Sequence, residues 1–325
     1  MTGSTPLVTI GITAYNAADT VARAIASARA QDWPNTEIVV VDDCSTDDTW
    51  AVLTEEAASL DTVRALRQDS NGGVAVARNR ILAEARGDFV VFFDDDDEST
   101  PDRVSRQVAR ITEYEARFAD GVPVICHTAT RRTYPDGTTL IAPTMGQRTG
   151  VKAPSGMPVA RRILLGEEVE DAYGTLAACS QMARRSAYRD VGGFDGSLRR
   201  HEDSDIAVRF ALQGAHFIGI ADTLVHQKMT PTADKSLAKE HLYLRAMFAK
   251  HQNFIDTHGS YAFVRGWIDL KARWQQRGTL GTVLPALWLF LQFPRQTMFR
   301  IRMALPRCHL NQANRAFRKL VPERH

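Results

Sequence analysis

The 325-residue sequence has only four cysteines, at positions 44, 126, 179 and 308. None of their spacings is that of a zinc knuckle or a redox pair, and four are too few for a disulfide scaffold of this length. Reduced thiols in a cytosol are the simple reading. Charge of one sign is lacking as well: 40 Lys and Arg face 38 Asp and Glu, a net of +2. That balance argues against bulk nucleic-acid binding through a basic surface. No basic residue precedes Arg23, so no export signal is expected. No apolar run approaches the roughly 20 residues of a membrane span. The longest, Leu280 to Phe293, is interrupted by Pro285. No G-x-G-x-x-G follows the first strand-like run, which disfavours a dinucleotide oxidoreductase. What remains, 44% hydrophobic and 24% charged residues, is the composition of a globular chain of two or so domain-sized units, or of one α/β domain with an appendage.

The first hundred residues alternate strand and helix signals. Leu7 to Ile12, Glu37 to Val41, Val63 to Leu66 and Phe89 to Phe93 are short runs with strand character. Between them, Val21, Ala24, Ile25 and Ala28 share one helical face. Ser45 has the character of an N-cap before a helix through Trp50 and Leu53. A third helix is expected from about Val74 to Ala85, after the turn Asn71-Gly72-Gly73. Apolar strands separated by helices predict a parallel sheet covered on both faces. In such sheets ligands bind beyond the carboxyl ends of the strands. Three polar clusters fall at those ends: Thr13-Ala14-Tyr15-Asn16, Asp42-Asp43 and Asp94 to Asp97. They are expected to converge. Farther on, Pro101 opens a helix and residues 122–129 read as a strand. Residues 142–175 read as a long loop, Glu202 begins a helix, and His216 to Ile220 is a last short strand. From Lys235 the pattern is mostly helical.

Four adjacent aspartates repel one another and are costly to gather without a cation. Extended geometry would put Asp94 and Asp96 on one face, and hard oxygen ligands suit Mg²⁺ or Mn²⁺. The alternative is a solvated acidic turn ahead of the helix at Pro101. Asp42-Asp43 reads either as a capping turn or as a hydrogen-bonding edge for a base or ribose. Tyr15 and Asn16 read as a turn or as a stacking surface. Arg78 is either a surface charge or a neutraliser of a diphosphate. Glu202 and Asp203, at a helix start, are favoured there by the helix dipole and could equally supply a general base.

Taken together these stretches resemble the family 2 glycosyltransferases over roughly residues 7–235. The resemblance rests on Val8 to Asn16, Val39 to Asp47, Ala77-Arg78-Asn79, Gly87 to Asp97 with Pro101, and Val191-Gly192-Gly193-Phe194-Asp195 followed by Glu202-Asp203. It implies an α/β GT-A fold: a Rossmann-like, mostly parallel sheet flanked by helices, with a helical C-terminal extension. The catalytic domain would span 1–235, with a nucleotide-binding half at about 1–100 and an acceptor half at about 101–235; the extension would span 236–325. The resemblance further implies an inverting transfer from a nucleotide-diphosphate sugar, with UDP ranked ahead of GDP or dTDP, to a glycan or lipid-linked acceptor. Polysaccharide or cell-envelope synthesis is the expected setting. Thr13, Tyr15, Asn16, Asp42, Asp43, Arg78, Asp94 and Asp95 would bind the nucleotide. Asp94-x-Asp96 would hold Mn²⁺ or Mg²⁺, with Asp96 the direct ligand. Asp203 would be the general base and Glu202 its neighbour. Within the 142–175 loop, Arg161, Arg162 and Tyr173 are candidate acceptor contacts. Two features depart from the family pattern. Cys44 stands where Gly is common. His226 lies four residues before the expected histidine, whose place Thr230 takes, so His226 reads as packed or solvent-facing rather than metal-binding.

The extension has its own signals. Leu280, Val283, Leu284, Leu287, Trp288 and Leu291 form a helical apolar stripe. From Arg295 onward eight basic residues (295, 300, 302, 307, 315, 318, 319 and 324) face the single acid Glu323. The stripe either packs on the catalytic domain or lies on an anionic membrane surface, with the enzyme peripheral at the cytoplasmic face of the plasma membrane. Two rivals remain. A sugar nucleotidyltransferase would carry a Gly-rich basic loop where this chain has Thr13 to Ala18. A catalytically silent glycan- or nucleotide-binding scaffold would have no need of Asp96 and Asp203.

Overall fold

The computed structural model of the chain describes residues 5–230 and 236–304. The described chain forms two compact units. The first runs to Lys228, apart from the segments 134–138 and 161–167; those segments and the chain from Met229 form the second.

The first unit is an α/β layer structure. Its strands are β1 (Val8–Ala14), β2 (Thr36–Asp42), β3 (Val63–Arg67), β4 (Phe89–Asp94), β5 (Glu98–Ser99), β6 (Val124–Thr133), β7 (Thr139–Ala142), β8 (Gln181–Arg184) and β9 (His216–Lys228). The sheet order is β3-β2-β1-β4-β8-β6-β9-β5, with β7 paired to β6. β1 to β4 are mutually parallel, and β8 enters antiparallel between β4 and β6. The helices are α1 (Val21–Arg29), α2 (Thr49–Ser59), α3 (Val74–Glu84), α4 (Arg103–Tyr114), α5 (Gly156–Leu165), α6 (Arg185–Asp190) and α7 (Glu202–Leu212). α1 buries Val21, Ala24, Ile25 and Ala28, the face its spacing gives. α3 crosses β1 so closely that a Cβ on Gly11 would stand 2.5 Å from Ile81 Cγ2. Every residue of β1 is buried, and Val8, Ile10, Ile12, Val40, Val91 and Phe93 belong to the central apolar cluster.

Several sequence expectations need correction. α2 begins at Thr49, and Ser45 does not cap it; Ser45 donates its backbone N–H to Asp42 at 3.2 Å. The segment 142–175 is not a continuous loop, because α5 occupies much of it. The last strand is 13 residues long rather than five, since β9 continues past Ile220 to pair with β5 as well as β6. The mostly parallel sheet flanked by helices and followed by a helical extension is as expected.

The second unit contains α8 (Leu237–Lys250), α9 (Gln252–His258), α10 (Tyr261–Arg277), α11 (Val283–Gln292) and α12 (Pro294–Ala304). Ser236 and Ser260 cap α8 and α10 by accepting the backbone N–H groups of Lys239 and Phe263. Met247, Phe248, Ile255, Phe263, Val264, Ile268 and Leu289 are among its buried apolar residues, with Tyr134 and Leu164 from the two inserted segments. α11 approaches α10 closely enough that a Cβ on Gly266 would stand 2.7 Å from Leu289 Cδ1. Among the described residues no helix is long and apolar enough to cross a membrane. Of the eight basic residues counted from Arg295, those at 307, 315, 318, 319 and 324 lie outside the described residues, as does Cys308.

Candidate active site

Strand register brings the three polar clusters together. Thr13 sits beside Asp94 across β1 and β4, Ala14 beside Asp42 across β1 and β2, and Asp42 beside Arg67 across β2 and β3. The loops beyond are tied to one another. Asn16, at φ 50°, donates its N–H to Ser45 Oγ at 2.9 Å, and its Oδ1 accepts the N–H of Thr46 at 2.9 Å. Asp95 accepts the N–H of Tyr15 at 2.9 Å, leaving the tyrosine ring 41% exposed at the sheet edge. Asp43 is buried and fills the Asn71-Gly72-Gly73 turn, accepting the N–H groups of Gly72 and Gly73 at 2.8 and 2.7 Å. Burial raises its carboxyl pKa, against the pull of those amides, Gln68 and Arg199.

Asp42 departs from expectation. It is fully buried, and its oxygens are taken by Ser45 and by Arg67 Nε at 3.1 Å. It shapes the loop after β2 and has no face left for a nucleotide.

The acidic turn after β4 is built over cations. Arg103, 1% exposed, donates to Phe92 O at 3.0 Å, Ser99 Oγ at 2.9 Å and Gln107 Oε1 at 3.1 Å, beneath the turn. Burial lowers its pKa to about 10, with Cys179, Asp97 and Asp94 opposing. Arg23 donates to the carbonyl of Asp96 at 3.2 Å. Among the described residues, the ligand atoms of Asp94, Asp97 and Cys179 lie within 4.8 Å of one another; Asp96 does not belong to that group. Gln227 on β9 reaches both Asp97 (3.1 Å) and Cys179 Sγ (3.3 Å). Burial, with the charges of Asp94 and Asp97 adding to it, holds the Cys179 pKa well above that of a free thiol. The thiol is therefore neutral at ordinary pH, and two carboxylates remain as the charged donors. Such an oxygen set fits a hard divalent cation.

The opposite wall is α7. Its cap residue His201 sits at φ 64°, so Glu202 and Asp203 occupy the first turn. Arg209 anchors the helix, pairing with buried Asp205 at 2.8 Å and donating to the carbonyls of Val191 and Gly193 at 2.6 Å. On α3, Asn79 clamps the same turn through both backbone groups of Phe194, each at 2.8 Å. Its neighbour Arg78 is 4% exposed and lies over the rings of Phe92 and Phe194, 5.7 and 5.5 Å from their centroids. Its guanidinium joins Glu202 at 2.6 Å to Asp94 at 3.2 Å. Burial alone would lower the Arg78 pKa, but Glu202, Asp94 and Asp203 outweigh it and raise it. Glu202 is pushed up to about 7 by burial and by Asp203, with Arg78 opposing. Asp203 is half-buried and accepts the N–H of Ser204 at 2.6 Å. His226 is exposed on β9 opposite Glu98 and stands outside the acidic group.

Sequence reasoning missed Asp97, Cys179, Gln227 and Arg103. Asp97 was visible in the acidic run but lost to the alternation argument, which the turn after Asp94 breaks. Arg103 follows Pro101-Asp102, where a surface helix start was the default. Cys179 and Gln227 carry no local signal.

Comparison with known proteins identifies the fold and the family. A curated relative, succinoglycan biosynthesis protein ExoO of Rhizobium meliloti, is 43% identical over 122 residues, 37% of this chain. That match spans 34% of the relative's own length. Among solved structures, residues 1–349 of TarS from S. aureus in complex with UDP-GlcNAc superpose with a TM-score of 0.59, covering 96% of this chain and 90% of that one at 18% identity. The mannosyltransferase PcManGT from Pyrobaculum calidifontis, in complex with GDP-Man and Mn²⁺, also gives 0.59 at 18% identity, covering 98% and 84%. The likeness establishes the fold as that of these enzymes. The sequence model of glycosyl transferase family 2 matches residues 9–190, more than half of the chain, and the protein belongs to that family.

Proposed function

We propose that this protein is an inverting glycosyltransferase that moves a sugar from a nucleotide-diphosphate sugar to a hydroxyl of a glycan or lipid-linked acceptor in cell-envelope polysaccharide synthesis. The observation that carries the reading is the buried chain Asp94–Arg78–Glu202. It couples the acidic turn at the sheet edge to the carboxylates that begin α7. Family membership and the nucleotide sugars named for the two solved neighbours support it.

The nucleotide lies across the edge made by Thr13, Tyr15, Asn16 and Asp43, with Tyr15 offering its exposed ring to the base. A divalent cation, Mn²⁺ or Mg²⁺, supplies positive charge to the departing diphosphate when held by the Asp94–Asp97 turn. Asp203 accepts the proton of the acceptor hydroxyl as its oxygen attacks the anomeric carbon on the face opposite the diphosphate. The bond between that carbon and the diphosphate oxygen breaks, and the nucleoside diphosphate leaves. Arg78 is already held by Glu202 and Asp94, so its part is to position those carboxylates. Donor sugars tested with purified acceptors should release nucleoside diphosphate. Asp203→Asn should keep donor binding and lose at least about 100-fold in turnover. Turnover close to wild type in that variant would remove Asp203 from the base role.

Membrane association is proposed as part of the same reading. On α11, Leu284 is 77%, Trp288 58% and Leu291 71% exposed, and Arg295 and Arg302 follow on α12. An apolar stripe with a basic flank suits the interface of an anionic membrane, at about 1 kcal/mol per basic residue near the surface. The enzyme is then peripheral at the cytoplasmic face of the plasma membrane.

A further inference from the structure

The second unit contains a cavity of ≈ 380 Å³ that plays no part in the site above. Its walls are Leu165 at the end of α5, Glu167 just beyond it, the start of α10, and one face of α12. Leu165, Phe263, Val264 and Phe299 make it apolar on several sides, and Arg295 and Arg300 make it cationic. Glu167 is the single acid in the lining, and Arg161 already engages it bidentately, with contacts of 2.7 to 3.0 Å. Among the described residues, neither Arg295 nor Arg300 has a carboxylate partner.

Arg300 is the unusual group. Its Nε is buried with no hydrogen-bond partner. Its guanidinium lies against the backbone at Gly166, where a Cβ would stand 2.0 Å from Nη1. Gly166 is at φ +70°, so glycine is suited to the position on both counts. Burial and the neighbouring charge of Arg162 lower the Arg300 pKa to about 10. A cation so placed, beside a second cation and without a carboxylate partner among the described residues, is costly unless a ligand supplies the anion. A planar guanidinium with free donors matches phosphate oxygens. The first turns of α10 and α12 border the cavity and add positive potential.

We propose that this cavity is a second anion site, which binds a phosphate or diphosphate monoester through Arg300 and Arg295 while its apolar walls take the attached organic group. The site is independent of the donor reading. Its ligand can be free in solution or the headgroup of a lipid, and the exposed stripe of α11 lies just before α12 in the same unit.

The test uses the full chain in EDTA, so that cation-dependent donor binding is silent. One arm titrates inorganic pyrophosphate calorimetrically. The other sediments the protein with neutral phosphatidylcholine vesicles and with the same vesicles carrying phosphatidic acid. The wild type is expected to bind in at least one arm, and Arg300→Gln to weaken that binding at least tenfold. Arg29→Gln, an exposed helical arginine elsewhere, should leave it unchanged. Loss of pyrophosphate binding identifies a free phosphate group as sufficient; loss only of phosphatidic-acid sedimentation identifies a lipid headgroup. Should Arg300→Gln fail to fold, Arg295→Gln carries the same comparison in the pyrophosphate arm. Binding equal in wild type and both variants, or absent from both arms, overturns the proposal.

Discussion

Arg78 and Glu202, 124 residues apart in the sequence, meet at 2.6 Å in a buried pair. The Arg78 guanidinium lies over two phenylalanine rings and also reaches Asp94. It is the joint between the acidic turn after β4 and the start of α7, which carries Asp203. Removing one partner of such a pair leaves an uncompensated buried charge. Arg78→Met is expected to destabilise the first unit by about 3–5 kcal/mol. Denaturant unfolding of the variant measures it.

The same pair gives stability a pH dependence. The Glu202 pKa is raised in the folded protein, from 4.5 to about 7. The folded state therefore holds its proton more tightly than the unfolded chain. The contribution is fully present below about pH 4.5 and is lost as pH rises through about 7. Unfolding free energies across pH 4.5 to 8 should show this decline, and Glu202→Gln should flatten it.

The acidic turn should behave as an oxygen-donor site. Asp94→Asn and Asp97→Asn are each expected to weaken Mn²⁺ binding at least about tenfold. Cys179→Ala should have a smaller effect, because a thiol with a raised pKa stays protonated. Mn²⁺ titration followed by paramagnetic relaxation of water distinguishes the variants. Loss in Asp96→Asn alone would return the ligand role to Asp96.

Gly11→Ala tests the packing that sets the sheet edge. The added methyl would stand 2.5 Å from Ile81 Cγ2, and Ile81 is fully buried. Overpacking of this kind costs about 1–3 kcal/mol. Thermal unfolding should show a lower midpoint, and Gly11→Ala combined with Ile81→Leu, which lacks the β-branch methyl, should recover part of the loss.

Membrane docking through α11 predicts that Trp288→Glu abolishes sedimentation with anionic vesicles and leaves donor turnover on a water-soluble acceptor unchanged. Equal sedimentation of variant and wild type would remove α11 from the interface.

Most of the parallel half was legible because its signals are local. Two-sided apolar runs fix β1, β2 and β4, and their carboxyl ends locate Thr13, Asp43 and Asp94 without any knowledge of pairing. The periodic face of α1 and the start of α7 at Glu202 were likewise readable. What escaped depends on contacts between distant segments. β8 is four residues long and owes its place to pairing with β4 and β6. Cys179 and Gln227 come from segments far apart in the chain, and only their arrival beside Asp97 gives them meaning. Asp42 looked like a ligand-facing residue because its burial by Arg67 requires knowing the β2–β3 register. Arg78 was singled out from the sequence, but the partners that define its part lie 16 and 124 residues away.

The central claim is that the sheet edge binds a nucleoside diphosphate through a cation held by the acidic turn. Calorimetric titration of UDP, GDP and dTDP, with Mn²⁺ and then with EDTA, tests it most directly in wild type and Asp97→Asn. One nucleotide is expected to bind with Mn²⁺, and EDTA and the substitution should each abolish the signal. Folded protein that binds none of the three, or binds one equally well in EDTA, would contradict it.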